Sequence, residues 1–399
     1  MVYQWRNNTF KISKIDYRRI VNSHVEFTNE FIIDLDDGSV GTGASSQGET
    51  ISIYENKKIS INPGEIIKTI QADGLVGKPL DQRDFDLYLK QHKKEFGQNN
   101  AYGLSEAFFN ARRSEQSLFE LFNVPKTRLT PPHICLNILN GGRHAYTNPV
   151  LSDFPEFMLV SKTNALEEII EEHNDIQKVV KEKQLSQTKT VVSGNPVNSF
   201  STCDNREVIE FLLNVLEGLG LTNKYDLMID ASAGDLWNGE GYYLEITDQR
   251  TRSREEFVTY WMSMIQQYNL KFLEDPFHEK DFDSWRNLTM KQNSSYIIGD
   301  NLYSSSAERI VEGGANHYAH GAVIKPNQAG TVTAVIEAIE ATQKTGQIAI
   351  TSHRSISTES TFLSMLTCVF GIKYIKIGPL GTDYSSVIRL NDIIRLTEA

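Results

Sequence analysis

The feature that most constrains this chain is a repeat in its second half. Short apolar runs there each end on a polar residue: DLMID on Asp230, LKFLE on Glu274, YIIGD on Asp300, AVIK on Lys325, IAITSH on His353 and YIK on Lys376. From Glu274 onward these endings recur about every 25 residues, the length of one strand–helix unit. Unbroken apolar runs, rather than alternating ones, are what parallel strands buried on both faces require. A closed barrel of such units gathers its chemistry at the carboxyl ends of its strands, which is where these six polar residues fall. A polar residue after a strand can also cap the following helix. Lys is not a favoured cap and Glu is a poor one, so Lys325, Lys376 and Glu274 point instead to a site.

The first half has a different pattern. Residues 1–45 alternate apolar and polar positions around an Asp36-Asp37-Gly38 turn, as an antiparallel hairpin or meander does. The small, polar stretch from Gly41 to Gly48 suits a mobile surface loop or an ordinary connection. From Asn62-Pro63-Gly64-Glu65 to Phe122 the apolar residues take helical spacing, as in Leu104, Ala107, Phe108 and Ala111. Strands followed by helices mark an α+β domain, and the proline-bearing stretch from Val124 to Pro132 reads as a linker. The expected architecture is an α+β N-terminal domain over 1–125, with a lid loop near 41–48, followed by a β/α (TIM-like) barrel over 126–399. With 399 residues, 40% of them hydrophobic, both cores can be filled.

A formal charge of -11 would repel nucleic acid and anionic membranes, so neither is expected as a partner, and an anionic substrate needs a local basic pocket. The N-terminus lacks the apolar core of a signal peptide, and the apolar run from Thr361 to Phe370 is too short to cross a bilayer; the expected location is cytoplasmic. Cys135, Cys203 and Cys368 are scattered, which suggests core thiols rather than disulfides or a thiolate metal site.

Three carboxylates from three strands, Asp230, Glu274 and Asp300, are hard oxygen ligands that favour Mg²⁺ or Mn²⁺ over Zn²⁺. Lysines at neighbouring strand ends can hold a carboxylate or phosphate, or serve as a base once nearby positive charge favours the neutral amine. The metal and Lys376 would supply that charge near Lys325. Together these parts describe proton abstraction next to a carboxylate, with the developing charge stabilised electrostatically.

These residues lie in motifs that resemble the enolase family along nearly the whole chain. Leu273-Glu274-Asp275-Pro276-Phe277 and Gly299-Asp300-Asn301-Leu302 look like its metal-ligand strands, and Lys325-Pro326-Asn327-Gln328-Ala329-Gly330-Thr331 like its base motif. Ser352-His353-Arg354-Ser355 and Ile375-Lys376-Ile377-Gly378 follow in order. The resemblance implies Asp230, Glu274 and Asp300 as Mg²⁺ ligands, Lys325 as base, Arg354 and Ser355 on a substrate phosphate, His353 beside them, and Lys376 on the substrate carboxylate. It further implies His144, in Asn140-Gly141-Gly142-Arg143-His144-Ala145, as a phosphate or acid-side contact, Glu156 as an active-site carboxylate, and Ser45 as a lid ligand to a second Mg²⁺. A homodimer or larger homo-oligomer is implied as well.

The pattern breaks on the acid side. The family's Gly-Asp-Glu-Gly-Gly-Phe-type segment corresponds here to Val192 through Phe200, with Asn195 where the catalytic Glu falls. An amide cannot deliver a proton. Three functions stay open. One is a lyase of glycolysis, phosphopyruvate hydratase, dehydrating 2-phosphoglycerate with Glu156, His144, Asp204 or Glu207 as acid. Another is a paralogue acting on a different phosphorylated or phosphonate acid in specialised metabolism. The third is a non-catalytic relative with a binding role, which predicts loss of the carboxylate triad or the base; both remain.

Overall fold

The computed structural model describes residues 9–46, 48, 52–55, 61–113, 119, 122, 128–141, 148–185, 188–192, 195–199 and 204–398; at 185, 188–192 and 195–199 it describes the backbone alone. The alternating N-terminal residues form β1 (Phe10–Val21), β2 (Phe27–Leu35) and β3 (Val40–Ala44), successive antiparallel neighbours whose second reversal falls at the Asp36–Gly38 turn. A two-residue strand, β4 (Pro79–Leu80), pairs with the far side of β1. One face of this sheet carries Ile12, Ile15, Phe31, Ile33 and Leu35 into a core closed by α1 (Pro63–Ala72), α2 (Gln82–Gln91), α3 (Lys93–Phe96) and α4 (Gln98–Arg113). Burying each such side chain contributes about 2 kcal/mol. Asn62 caps α1 by accepting the Gly64 amide, with Pro63 at the first helical position, and Asp81 opens α2 with a capping box.

The stretch read as a mobile loop is in part a strand. Gly41, Gly43 and Ala44 belong to β3, and a Cβ at Gly43 would overlap the Gly103 carbonyl and the Ala107 amide of α4. These glycines permit close approach of strand to helix rather than motion. On its other side α4 meets the second half of the chain, with Phe109 edge-on to Phe362 at 5.2 Å between ring centres.

That second half is a closed eight-stranded barrel. Its strands are β5 (His133–Asn140), β6 (Glu156–Ser161), β9 (Tyr225–Asp230), β12 (Phe272–Glu274), β13 (Tyr296–Gly299), β14 (Gly321–Ile324), β15 (Ile348–Ser352) and β16 (Tyr374–Ile377). Two hairpins stand apart from it: β7 (Thr188–Val192) with β8 (Asn195–Ser199), and β10 (Tyr242–Leu244) with β11 (Arg250–Arg252). Met158, Met228, Phe272, Ile298, Val323 and Ile350 fill the barrel interior, so it is a solid support and not a pore. Among the described residues no helix is long and apolar enough to cross a membrane.

One strand departs from the expected all-parallel arrangement. β6 runs antiparallel to both β5 and β9. No described helix separates it from β5, and an antiparallel neighbour needs no crossover helix. The consequence is local: β6 presents its first residue, Glu156, at the mouth where its neighbours present their last.

Candidate active site

The carboxylates arrive from adjacent strands. Asp230 ends β9 directly opposite Glu274, which ends β12, and Asp300 follows β13. Glu274 is fully buried, and Asp230 and Asp300 nearly so. Asp275 holds the turn beyond β13 in place: its carboxylate accepts the backbone N–H groups of Asp300 at 2.9 Å and Asn301 at 2.7 Å. It does so from a left-handed backbone position at φ 42°. Burial raises the pKa of both Glu274 and Asp275 well above the usual carboxylate range, and the charges of Asp230 and Asp300 push the same way.

Two lysines sit among these acids. Lys376, on β16, donates to the two Glu274 oxygens at 3.0 and 2.9 Å and to Asp230 at 3.3 Å, and pairs with Glu156 at 2.9 Å. Burial opposes its charge, but the charges of Glu156, Glu274, Asp230 and Asp300 outweigh burial and raise its pKa well above the ordinary lysine value. Its acidic neighbours thus favour the ammonium form of Lys376. Lys325 follows β14 and its ammonium donates to Asp300 Oδ2, while Ser305 Oγ accepts its backbone N–H at 2.9 Å. Glu156, paired in register with both Asn140 and Asp230, also accepts a hydrogen bond from Asn137 at 3.1 Å.

A cavity of about 370 Å³ opens over this floor, lined by Glu156, Asp230, Asp300, Lys325 and Lys376 together with His353, Arg354 and Ser355. Burial lowers the His353 pKa to about 4, and the Arg389 charge adds to this against the opposing charge of Asp383, 3.6 Å away. The imidazole is neutral at pH 7. Asp383 is fixed in turn by the hydroxyls of Ser385 at 2.9 Å and Ser386 at 2.7 Å.

The floor holds more acidic groups than cations. Five carboxyl groups, Asp230, Glu274, Asp275, Asp300 and Glu156, meet two lysines, burial favours the neutral form of Glu274 and Asp275 while no second cation is present, and Asp300 Oδ1 is buried with no hydrogen-bond partner. Among the described residues no three Asp, Glu, His or Cys side chains close into a ready metal cage, and the ammonium groups of Lys325 and Lys376 pair with Asp300 and Glu274. Oxygen donors in excess of positive charge, one with an unused buried lone pair, suit a hard divalent cation such as Mg²⁺.

Residues 128–399 match the family described as Enolase, C-terminal TIM barrel domain. The chain belongs to the enolase family. It is similar to the Enolase of Sulfolobus acidocaldarius, 27% identical over 393 residues that cover 93% of this chain and 92% of that one. It is similar also to the Enolase of Acidothermus cellulolyticus, 28% identical over 413 aligned residues covering 97% and 94%.

Within this enolase-family barrel, the residues read from sequence as Asp230, Glu274, Asp300, Lys325, Lys376, Glu156, His353, Arg354 and Ser355 come together at one mouth. Ser45 does not line the cavity: it is buried at the end of β3, its N–H donated to Asn29 O, and Gly48 of the same stretch faces the cavity instead. His144 lies outside the described residues. Asn195 opens β8 opposite Val192, with its side chain outside the description. Asp204 accepts the Arg206 amide as a helix cap and is not in the cavity wall. Cys135 and Cys368 are buried thiols whose pKa burial raises to about 12, and Cys203 is not described. Sequence reading passed over Asp383, His24 and Glu55. Asp383 lies only seven residues beyond Lys376, which was a usable signal, whereas His24 and Glu55 reach the site from the other domain.

Proposed function

We propose that this member of the enolase family is a Mg²⁺-dependent lyase that removes a proton next to a substrate carboxylate, converting 2-phosphoglycerate to phosphoenolpyruvate. The observation that supports it most is the placement of Lys325 on Asp300 and Lys376 on Glu274 in one cavity floor. Asp230, Glu274 and Asp300 would hold Mg²⁺, which when bound supplies positive charge for the substrate carboxylate. Lys376, held cationic by its acidic neighbours, would fix that carboxylate, and the guanidinium of Arg354 with the Ser355 hydroxyl would receive the phosphate. Lys325, as the neutral amine, would take the proton from the second carbon. The electron pair left behind moves toward the carboxylate and then expels the third-carbon hydroxyl. That hydroxyl leaves as water with a proton from a general acid, for which Glu156 and His144 are the candidates. The enzyme would work in the cytoplasm as a homodimer or larger homo-oligomer.

A second reading is favoured by one specific observation: the Val192–Phe200 segment carries no carboxylic acid. In that reading, proton abstraction by Lys325 serves another phosphorylated or phosphonate acid. Incubation with 2-phosphoglycerate and Mg²⁺ in D₂O, followed for deuterium at the second carbon and for phosphoenolpyruvate absorbance, separates the two. Both signals are expected of a working hydratase, exchange alone fits the second reading, and neither signal contradicts the proposed substrate.

A further inference from the structure

The cavity's arginine already has an internal partner. Arg354, 6% exposed at its side chain, pairs with Glu55 at 2.8 Å, and Glu55 is itself only 10% exposed. The Glu55 carboxylate is otherwise satisfied, its second oxygen accepting the Ser52 amide at 3.2 Å and Gln328 Nε2 at 3.3 Å. Glu55 belongs to the N-terminal domain, while Arg354 and Gln328 belong to the barrel.

The segment 52–55 touches three of the barrel loops that carry site residues. Ser52 donates to the carbonyl of Asn301, beside Asp300, at 3.2 Å. Glu55 meets Gln328, three residues after Lys325, and Arg354, next to His353. Arg309 lies over the Tyr54 ring at 4.4 Å and anchors the middle of the segment. Upstream, Gly48 lies so close to Arg354 that a Cβ there would overlap the guanidinium. The Ser46 carbonyl accepts from Asn327 at 3.0 Å.

We infer that Glu55 is a specificity-determining residue: it competes with the anionic group of the ligand for Arg354, so that a ligand binds by displacing Glu55 and loosening segment 52–55 from the barrel. This rests on the proposed role of Arg354 as the anion receptor. A guanidinium fork accepts a carboxylate or a phosphate in the same geometry. When the receptor is mostly occupied by an internal carboxylate, the apparent affinity for an external anion falls by the fraction of receptor left open. A phosphate dianion carries more charge than Glu55 and can displace it, whereas a lone carboxylate offers no such advantage. Glu55 thereby biases the cavity toward phosphorylated or phosphonate ligands.

The test is calorimetric titration of the full-length chain, saturated with Mg²⁺, with inorganic phosphate. Glu55→Gln is expected to bind phosphate about tenfold more tightly than wild type. Arg354→Gln should bind it more weakly, and in the double variant the gain from Glu55→Gln should vanish. Glu55→Asp, which keeps the charge on a shorter arm, should fall between wild type and Glu55→Gln and guards against a folding defect in the amide. Unchanged or weaker phosphate binding by folded Glu55→Gln, with Arg354→Gln still impaired, overturns the competition and leaves the role of Arg354 standing. Wild-type affinity in Arg354→Gln overturns both. A purely structural role for Glu55 would lower the melting temperature without tightening phosphate binding, and that outcome also overturns the inference.

Discussion

Glu156 and Asp230 face each other across neighbouring antiparallel strands, one opening β6 and the other closing β9. Reversal of a single strand thus places a carboxylate that starts a strand beside one that ends a strand. Lys376 bridges them, 2.9 Å from Glu156 and 3.3 Å from Asp230. The bridge organises the floor of the cavity and makes it sensitive to substitution.

Removing that cation leaves buried negative charges facing one another. Lys376→Met is expected to lower the stability of the metal-free protein by about 3 kcal/mol, in the range for breaking a buried ion pair from one side. Added Mg²⁺ should restore part of the loss by replacing positive charge. Urea unfolding with and without Mg²⁺ measures both effects, and a variant as stable as wild type without Mg²⁺ contradicts this account of the floor.

Asp275 is a positioning residue for Asp300 through the two backbone amides it accepts. Asp275→Asn keeps the size but loses one acceptor, so the loop bearing Asp300 loosens. Mg²⁺ affinity should fall about tenfold, as for other residues that orient a metal ligand. Titration calorimetry reads this directly, and equal affinities contradict it.

Two buried groups give stability opposite dependences on pH. Burial lowers the His173 pKa from 6.5 to about 4, so as pH falls through this window the unfolded chain takes up the proton first and stability is lost. Burial raises the Glu106 pKa from 4.5 to about 7, so as pH rises through that window the unfolded chain ionises first and stability is again lost. Glu106→Gln should therefore gain about 3 kcal/mol relative to wild type between pH 5 and pH 8. Unfolding curves at the two pH values check it, and a difference that does not change with pH contradicts it.

The barrel and most of its floor were legible because a strand buried on both faces reads as an unbroken apolar run, and the polar residue that stops the run marks the mouth. Asp230, Glu274, Asp300, Lys325 and Lys376 all carry that signal. Glu156 does not, since it opens an antiparallel strand, and only the motif around it pointed to the site. Gly41 and Gly43 misled because small residues suit a loop and a strand pressed on a helix equally well; their spacing of two is strand spacing, and its meaning depends on α4 lying behind them. Glu55 was illegible for a different reason. It lies outside any periodic run, and its partner Arg354 is 299 residues away in the other domain.

The most direct measurement of the central claim is solvent deuterium exchange at the second carbon of 2-phosphoglycerate, with the Mg²⁺-saturated wild type compared against Lys325→Met. The account predicts exchange by the wild type and its loss by at least about a thousandfold in the variant, since the proton acceptor itself is gone. Undiminished exchange in Lys325→Met, with Mg²⁺ still bound, would show that another residue removes the proton and would contradict the account.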